Sequence, residues 1–161
     1  MKDLLPLGEK IGARLKARKE TIVVAESSTG GLISAALLSV PGASVYFIGG
    51  GAFYTRQSFL ALRDTREEMF AGLRGCTDGW ALMLARTLKE RCGATWAIGE
   101  SGAAGPTGNR YGDPAGLSWV VVVGPVERTL KVETGSSDRV ANMRTFSAAA
   151  LKLFAEVIDA K

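Results

Sequence analysis

The chain has 161 residues, 47% of them hydrophobic and 22% charged, enough to bury one core without disulfides or metal staples. No apolar stretch approaches the roughly 20 residues of a membrane span, and the opening MKDLLPLGEK carries acids where a secretory signal would be basic and then apolar. A cytoplasmic protein with no membrane partner is therefore expected. The net charge of +4 is scattered among acids rather than gathered in a run, which disfavours nucleic acid and leaves room for a small anion.

Histidine is absent, and with it go the usual general base, the commonest metal ligand and the Ser-His-Asp triad. Cys76 and Cys92 are too few for a disulfide framework and are expected to be reduced.

Along the chain, Leu4, Leu5, Leu7, Ile11 and Leu15 recur at three-to-four spacing and predict an amphipathic helix over residues 3–18. The β-branched run 21–25 predicts a buried strand. Ser27-Ser28-Thr29-Gly30-Gly31 then leads into a helix over 32–38, closed by Pro41-Gly42. Tyr46-Phe47-Ile48 followed by three glycines, Gly49 to Gly51, predicts a strand with a bend or a close backbone approach. Helical patterns occupy 56–62, 65–73 and 78–91, and a strand over 94–99 enters a long loop, 100–116, whose length favours binding over mere connection. Strands at 117–123 and 128–133, divided by Gly124-Pro125, read as a hairpin, and a last helix spans about 138–157.

Helices that alternate with strands and are followed by a hairpin imply a single α/β domain, a three-layer α/β/α sandwich around a mixed sheet. The loops after residues 25 and 99 leave strands at the carboxyl edge, where ligands of such sheets collect. In the first loop, hydroxyls and glycines precede a helix whose free N–H groups suit a phosphate, although they also suit an ordinary N-cap. The second, Ser101-Gly102-Ala103-Ala104-Gly105-Pro106, offers a hydroxyl and a close backbone approach, or a structural turn. Neither is a Walker A loop or a nucleophile elbow. Trp80, Trp96 and Trp119 fall in helical or strand patterns and are expected to pack.

Taken together, AESSTGG resembles the AESCTGG motif of CinA C-terminal domains, and SGAAGPTG resembles their TGIAGPGG. PGAS, FY, PAG and DR, in the same order, resemble the family's PGSS, TY, PVG and GDR. The resemblance spans nearly the whole chain. It implies hydrolysis of the carboxamide of nicotinamide mononucleotide to nicotinate mononucleotide and ammonia, with a small-molecule nucleotide as partner, no metal, no cofactor and a homo-oligomeric assembly.

By the same resemblance, Ser44 is the candidate nucleophile, Tyr54 a proton relay, and Ser27 and Ser101 donors to substrate or oxyanion. Ser28, Thr29, Gly30, Gly31, Gly102 and Gly105 would line the nucleotide, and Arg139 would clamp its phosphate. The family places a lysine five residues beyond the tyrosine, a residue able to act as base; this chain has Phe59 there. Arg56 and Arg63 lie nearby but do not give up a proton. Ser28 stands for a cysteine, Asp113 for a lysine before the proline, and Met143 for a second arginine, with Arg144 one place on. These departures suggest a diverged member that keeps the fold and the pocket, in which hydrolysis is impaired or replaced by nucleotide binding alone.

Overall fold

The computed structural model describes residues 1–160. Five strands, β1 (Ile22–Glu26), β2 (Phe47–Ala52), β3 (Trp96–Ala103), β4 (Leu117–Val123) and β5 (Arg128–Glu133), form one sheet in the order β2-β1-β3-β4-β5. β1 pairs in parallel with both β2 and β3, whereas β4 runs antiparallel to β3 and β5.

Helices α1 (Leu5–Arg18), α2 (Leu32–Leu38) and α5 (Arg139–Asp159) pack together on one face, and α4 (Asp78–Cys92) covers the other. The short α3 (Arg56–Leu60) adds to the α4 side, where its Phe59 packs with Trp80 and Leu84. The expected three-layer architecture is the one observed. Among the described residues no helix is long and apolar enough to cross a membrane.

Period-two alternation explains the layering. Ile22 and Val24 point into the larger core with Leu15, Ile33 and Phe154, while Val23 and Ala25 point to the α4 side. β4 divides likewise, Val120 and Val122 one way, Val121 and Val123 the other. Both faces of the central strands are covered, which is why they are near-continuous aliphatic runs. At Gly99 a side chain would meet the Ala81 carbonyl oxygen at 2.4 Å, so glycine lets α4 lie directly on β3.

Two sequence expectations change. β3 extends to Ala103 rather than ending at Gly99, because residues 97–103 pair with β4 and the small polar residues are buried there. The loop that follows is correspondingly shorter. Of the helix expected over 65–73 only a 3-10 turn, Glu67–Phe70, forms; the Thr65 hydroxyl donates back to the Leu62 carbonyl, and Gly72 takes a positive φ of 71°. Cys76 lies just before the α4 N-cap, Thr77, in the left-handed region with φ 59°.

Candidate functional site

The apolar runs of β1 and β3 each close on a glutamate, Glu26 as the last residue of β1 and Glu100 midway along β3, and both side chains are fully buried. Glu26 turns under the loop that follows it. Its carboxylate accepts hydrogen bonds from the amides of Gly31 (2.9 Å), Ile33 (3.1 Å) and Ser34 (2.8 Å), and from the hydroxyls of Thr29 (2.8 Å) and Ser34 (2.6 Å). Glu100 accepts from the amides of Ser27 and Thr29, each at 3.0 Å, and from the hydroxyls of Ser28 (2.5 Å), Thr29 (3.0 Å) and Ser118 (2.7 Å). The Thr29 hydroxyl stands between the two carboxylates, and its single proton serves one of them at a time.

Burying a carboxylate is costly unless its lone pairs are filled, and five donors around each group fill them. This network corrects the expectation of a phosphate at the start of α2: the anion on those helix amides is the chain's own Glu26. Ser28 and Thr29 spend their hydroxyls on the carboxylates, Gly31 spends its amide there, and Gly30, exposed at φ 63°, lies outside the cleft. None of the four lines the cleft. Their work is to fix the loop.

What the loop presents is Ser27. Its amide is held by Glu100, while its hydroxyl has no protein partner among the described residues and opens into a cleft of about 560 Å³. Ser101 and Gly102 of β3 form the adjoining floor, and Tyr54 and Arg56 stand on one side with Tyr111 and Arg110 on another. The Ser101 oxygen accepts the Cys76 amide at 2.9 Å, which leaves its own proton free to donate. A side chain at Gly102 would strike Ser28 and Ser118 at 2.7 Å, so glycine is required for the loop to approach β3. Cys76 also borders the cleft, but burial pushes its thiol up to about 11 and leaves it protonated.

Arg139 and Gly105 meet at the rim. The guanidinium donates to the Gly105 carbonyl at 2.6 Å and to the Tyr54 hydroxyl at 3.2 Å, and lies 5.8 Å from the Tyr54 ring. Gly105, at φ 108° and with the Ser137 carbonyl 2.8 Å from where a side chain would start, suits glycine alone. The structure therefore gathers Ser27, Tyr54, Ser101, Gly102, Gly105 and Arg139 into one neighbourhood.

Ser44 is not in it. It is exposed in the 3-10 turn Ala43–Val45, before β2, whereas Tyr54 follows the end of that strand. β2 has six residues, so the two lie at opposite edges of the sheet, about 20 Å apart at roughly 3.3 Å per residue. Within one chain Ser44 does not reach a group held beside Tyr54, and the serine hydroxyl that borders the cleft without a protein partner among the described residues is Ser27's.

Phe59 is wholly buried, edge-on to Phe53 at 5.5 Å and to Phe70 at 5.7 Å, with Trp80 tilted against Phe70 at 5.0 Å. Arg56 lies over this cluster, 4.7 Å from the Phe70 ring and 5.9 Å from that of Trp80, and donates to Glu67 at 3.1 Å. Across the cleft, Arg74 pairs with Asp113 through two hydrogen bonds, one of them 3.2 Å, and its charge holds the Asp113 carboxyl below the usual range. Asp113, where the resemblance has a lysine, thus pins the loop carrying Arg110 and Tyr111.

Sequence reasoning missed Glu26 and Glu100 as the organising groups. Their signal was a charge closing an aliphatic run beside small hydroxyl residues, although the donors cross over: Ser27 and Ser28, which follow Glu26, serve Glu100. It also set Arg56 aside as a failed base.

A mixed sheet with a hydroxyl-lined cleft over its parallel strand ends defines a single α/β domain whose cleft sits where ligands of such sheets collect. The sequence pattern described as CinA C-terminal domain matches residues 5–158, and the chain belongs to that family. A CinA-like protein of Chloroherpeton thalassium is 35% identical over 97% of this chain, and one of Prochlorococcus marinus is 40% identical over 69%. The chain spans only 38% and 26% of those relatives' lengths.

Among solved structures, a competence-damaged protein (CinA) superfamily protein from Klebsiella pneumoniae superposes with a TM-score of 0.89 at 23% identity, covering 98% of this chain and 99% of that one. A competence/damage inducible protein from Agrobacterium tumefaciens gives 0.87 at 23% identity, covering 98% and 96%. At that identity the likeness speaks for the fold.

Proposed function

We propose that this chain binds a pyridine mononucleotide, of the kind represented by nicotinamide mononucleotide, in the cleft, and that its hydrolysis of the carboxamide is severely reduced. The observation that carries this reading is the pairing of an intact floor with an altered wall. Ser27 and Ser101 present hydroxyls from a fixed backbone, as an acyl-transfer site needs. Phe59, where the resemblance expects a lysine, is sealed in an aromatic cluster.

In this reading Ser27, rather than Ser44, faces the carboxamide carbon, Ser101 donates to its oxygen, and Tyr54, oriented by Arg139, closes the site. For Ser27 to attack, its proton must pass to a base. Among the described residues no lysine borders the cleft, the chain has no histidine, and the arginines there do not accept protons. Loss of a general base lowers a rate by about 10² to 10⁴. Calorimetric titration with nicotinamide mononucleotide, alongside measurement of ammonia release, tests the proposal: saturable binding with little or no ammonia is expected. Absence of binding sinks it, and rapid ammonia release removes the impaired-catalysis half.

A further inference from the structure

Arg56 is the group of the cleft whose role the pyridine-nucleotide reading leaves open. It begins α3, whose N-cap, Thr55, accepts the Ser58 amide, so the residue is carried on an anchored turn. Its guanidinium rests on the Phe70 and Trp80 rings, and Phe70 is also the ring that Phe59 meets edge-on at 5.7 Å. The aromatic cluster that fills the lysine's position is thus also the platform for a cation beside it.

The two cations are not equivalent. An amine can shed its proton and act as a base; a guanidinium stays charged and offers a planar fork of donors that matches a carboxylate. One nitrogen of Arg56 is engaged by Glu67, and the others have no protein partner among the described residues. Among the described residues no aspartate or glutamate lines the cleft, Arg110 lines it without a carboxylate partner, and Arg139 stands at the rim hydrogen-bonded to the Gly105 carbonyl and the Tyr54 hydroxyl. A neutral carboxamide gains little from such surroundings. A carboxylate gains a charge-assisted pair.

We propose that Arg56 makes the cleft selective for a ring that bears a carboxylate over the same ring bearing a carboxamide. This rests on the pyridine-nucleotide reading and deepens it: the site is tuned to hold the acid, nicotinate mononucleotide, rather than to turn over the amide. Selectivity of this kind follows from a fixed cation that lines the same cleft as Ser27 and Ser101 and meets the ring's substituent, whereas a cation serving only the phosphate would favour both nucleotides equally.

The test is calorimetric titration of nicotinate mononucleotide and nicotinamide mononucleotide into the parent chain, Arg56→Gln and Glu67→Gln. The parent is expected to bind the acid about tenfold more tightly than the amide. Arg56→Gln should bring the ratio to roughly twofold or less, and Glu67→Gln, which frees the guanidinium, should keep or widen it. Higher ionic strength should narrow the parent's ratio. Equal affinities in the parent overturn the proposal whatever the variants do, as does a ratio that survives Arg56→Gln. Failure of both nucleotides to bind overturns the underlying nucleotide reading and this selectivity with it, whereas tight but equal binding overturns the selectivity alone.

Discussion

The floor and the wall of the cleft are built on opposite principles. The floor is polar and dry: two buried carboxylates, each with five donors, fix the backbone of residues 27–34 from beneath and leave Ser27 projecting. The wall around Phe59 is aromatic, with Arg56 lying on its solvent side. A polar network loses several bonds when any member goes, so the floor resists change. An aromatic surface accepts a substituted side chain and a new cation more readily; the wall holds Phe59 in place of the lysine, whereas the floor's own departure, Ser28 for a cysteine, still supplies a donor to Glu100.

Removing the floor's central acceptor is expected to have the largest effect. Glu100→Ala strands the amides of Ser27 and Thr29 and the hydroxyls of Ser28 and Ser118 in a buried space, while the Thr29 hydroxyl keeps Glu26 as acceptor, and should cost about 4 kcal/mol, seen as a lowered urea midpoint. A loss under about 1 kcal/mol would mean that the network does not hold the loop. Phe59→Lys attacks the wall instead. It removes two edge-to-face ring contacts and buries an amine, for an expected loss of about 3 kcal/mol, moderated if the long side chain reaches the cleft. In the fraction that folds, ammonia release from nicotinamide mononucleotide should rise above the parent's; no rise would show that the wall differs by more than its base.

The smallest effect concerns Cys76, at the junction of the two regions. Burial raises its thiol from 9.0 to about 11, so between those values the unfolded chain loses a proton that the folded chain keeps. Stability should therefore fall as pH rises from about 9 to 11, and Cys76→Ser should flatten that slope. A parent profile that is level across this window would contradict the burial of the thiol.

The layers of the fold were legible because periodicity reports burial. The aliphatic runs of β1 and β4 and the three-to-four spacing of α1 each fall within a residue or two of the observed elements. The far end of β3 was not, because Glu100, Ser101 and Gly102 look like loop until their partners are known: Glu100 is tolerable in a buried strand only with donors arriving from Ser27 to Thr29 and from Ser118. The motifs located the cleft but not the division of labour within it. Ser44 and Ser27 are equally plausible hydroxyls in one dimension. Only the parallel pairing of β2 with β1 places one at each edge of the sheet.

The central claim, that function resides at the Ser27 edge, is tested most directly by titrating nicotinamide mononucleotide into Ser27→Ala and Ser44→Ala. The expected result is about fivefold weaker binding for Ser27→Ala, the effect of one lost hydrogen bond, and a change of no more than roughly twofold for Ser44→Ala. The reverse order, with Ser44→Ala weakened and Ser27→Ala unaffected, would place the site at the opposite edge of the sheet and contradict the account.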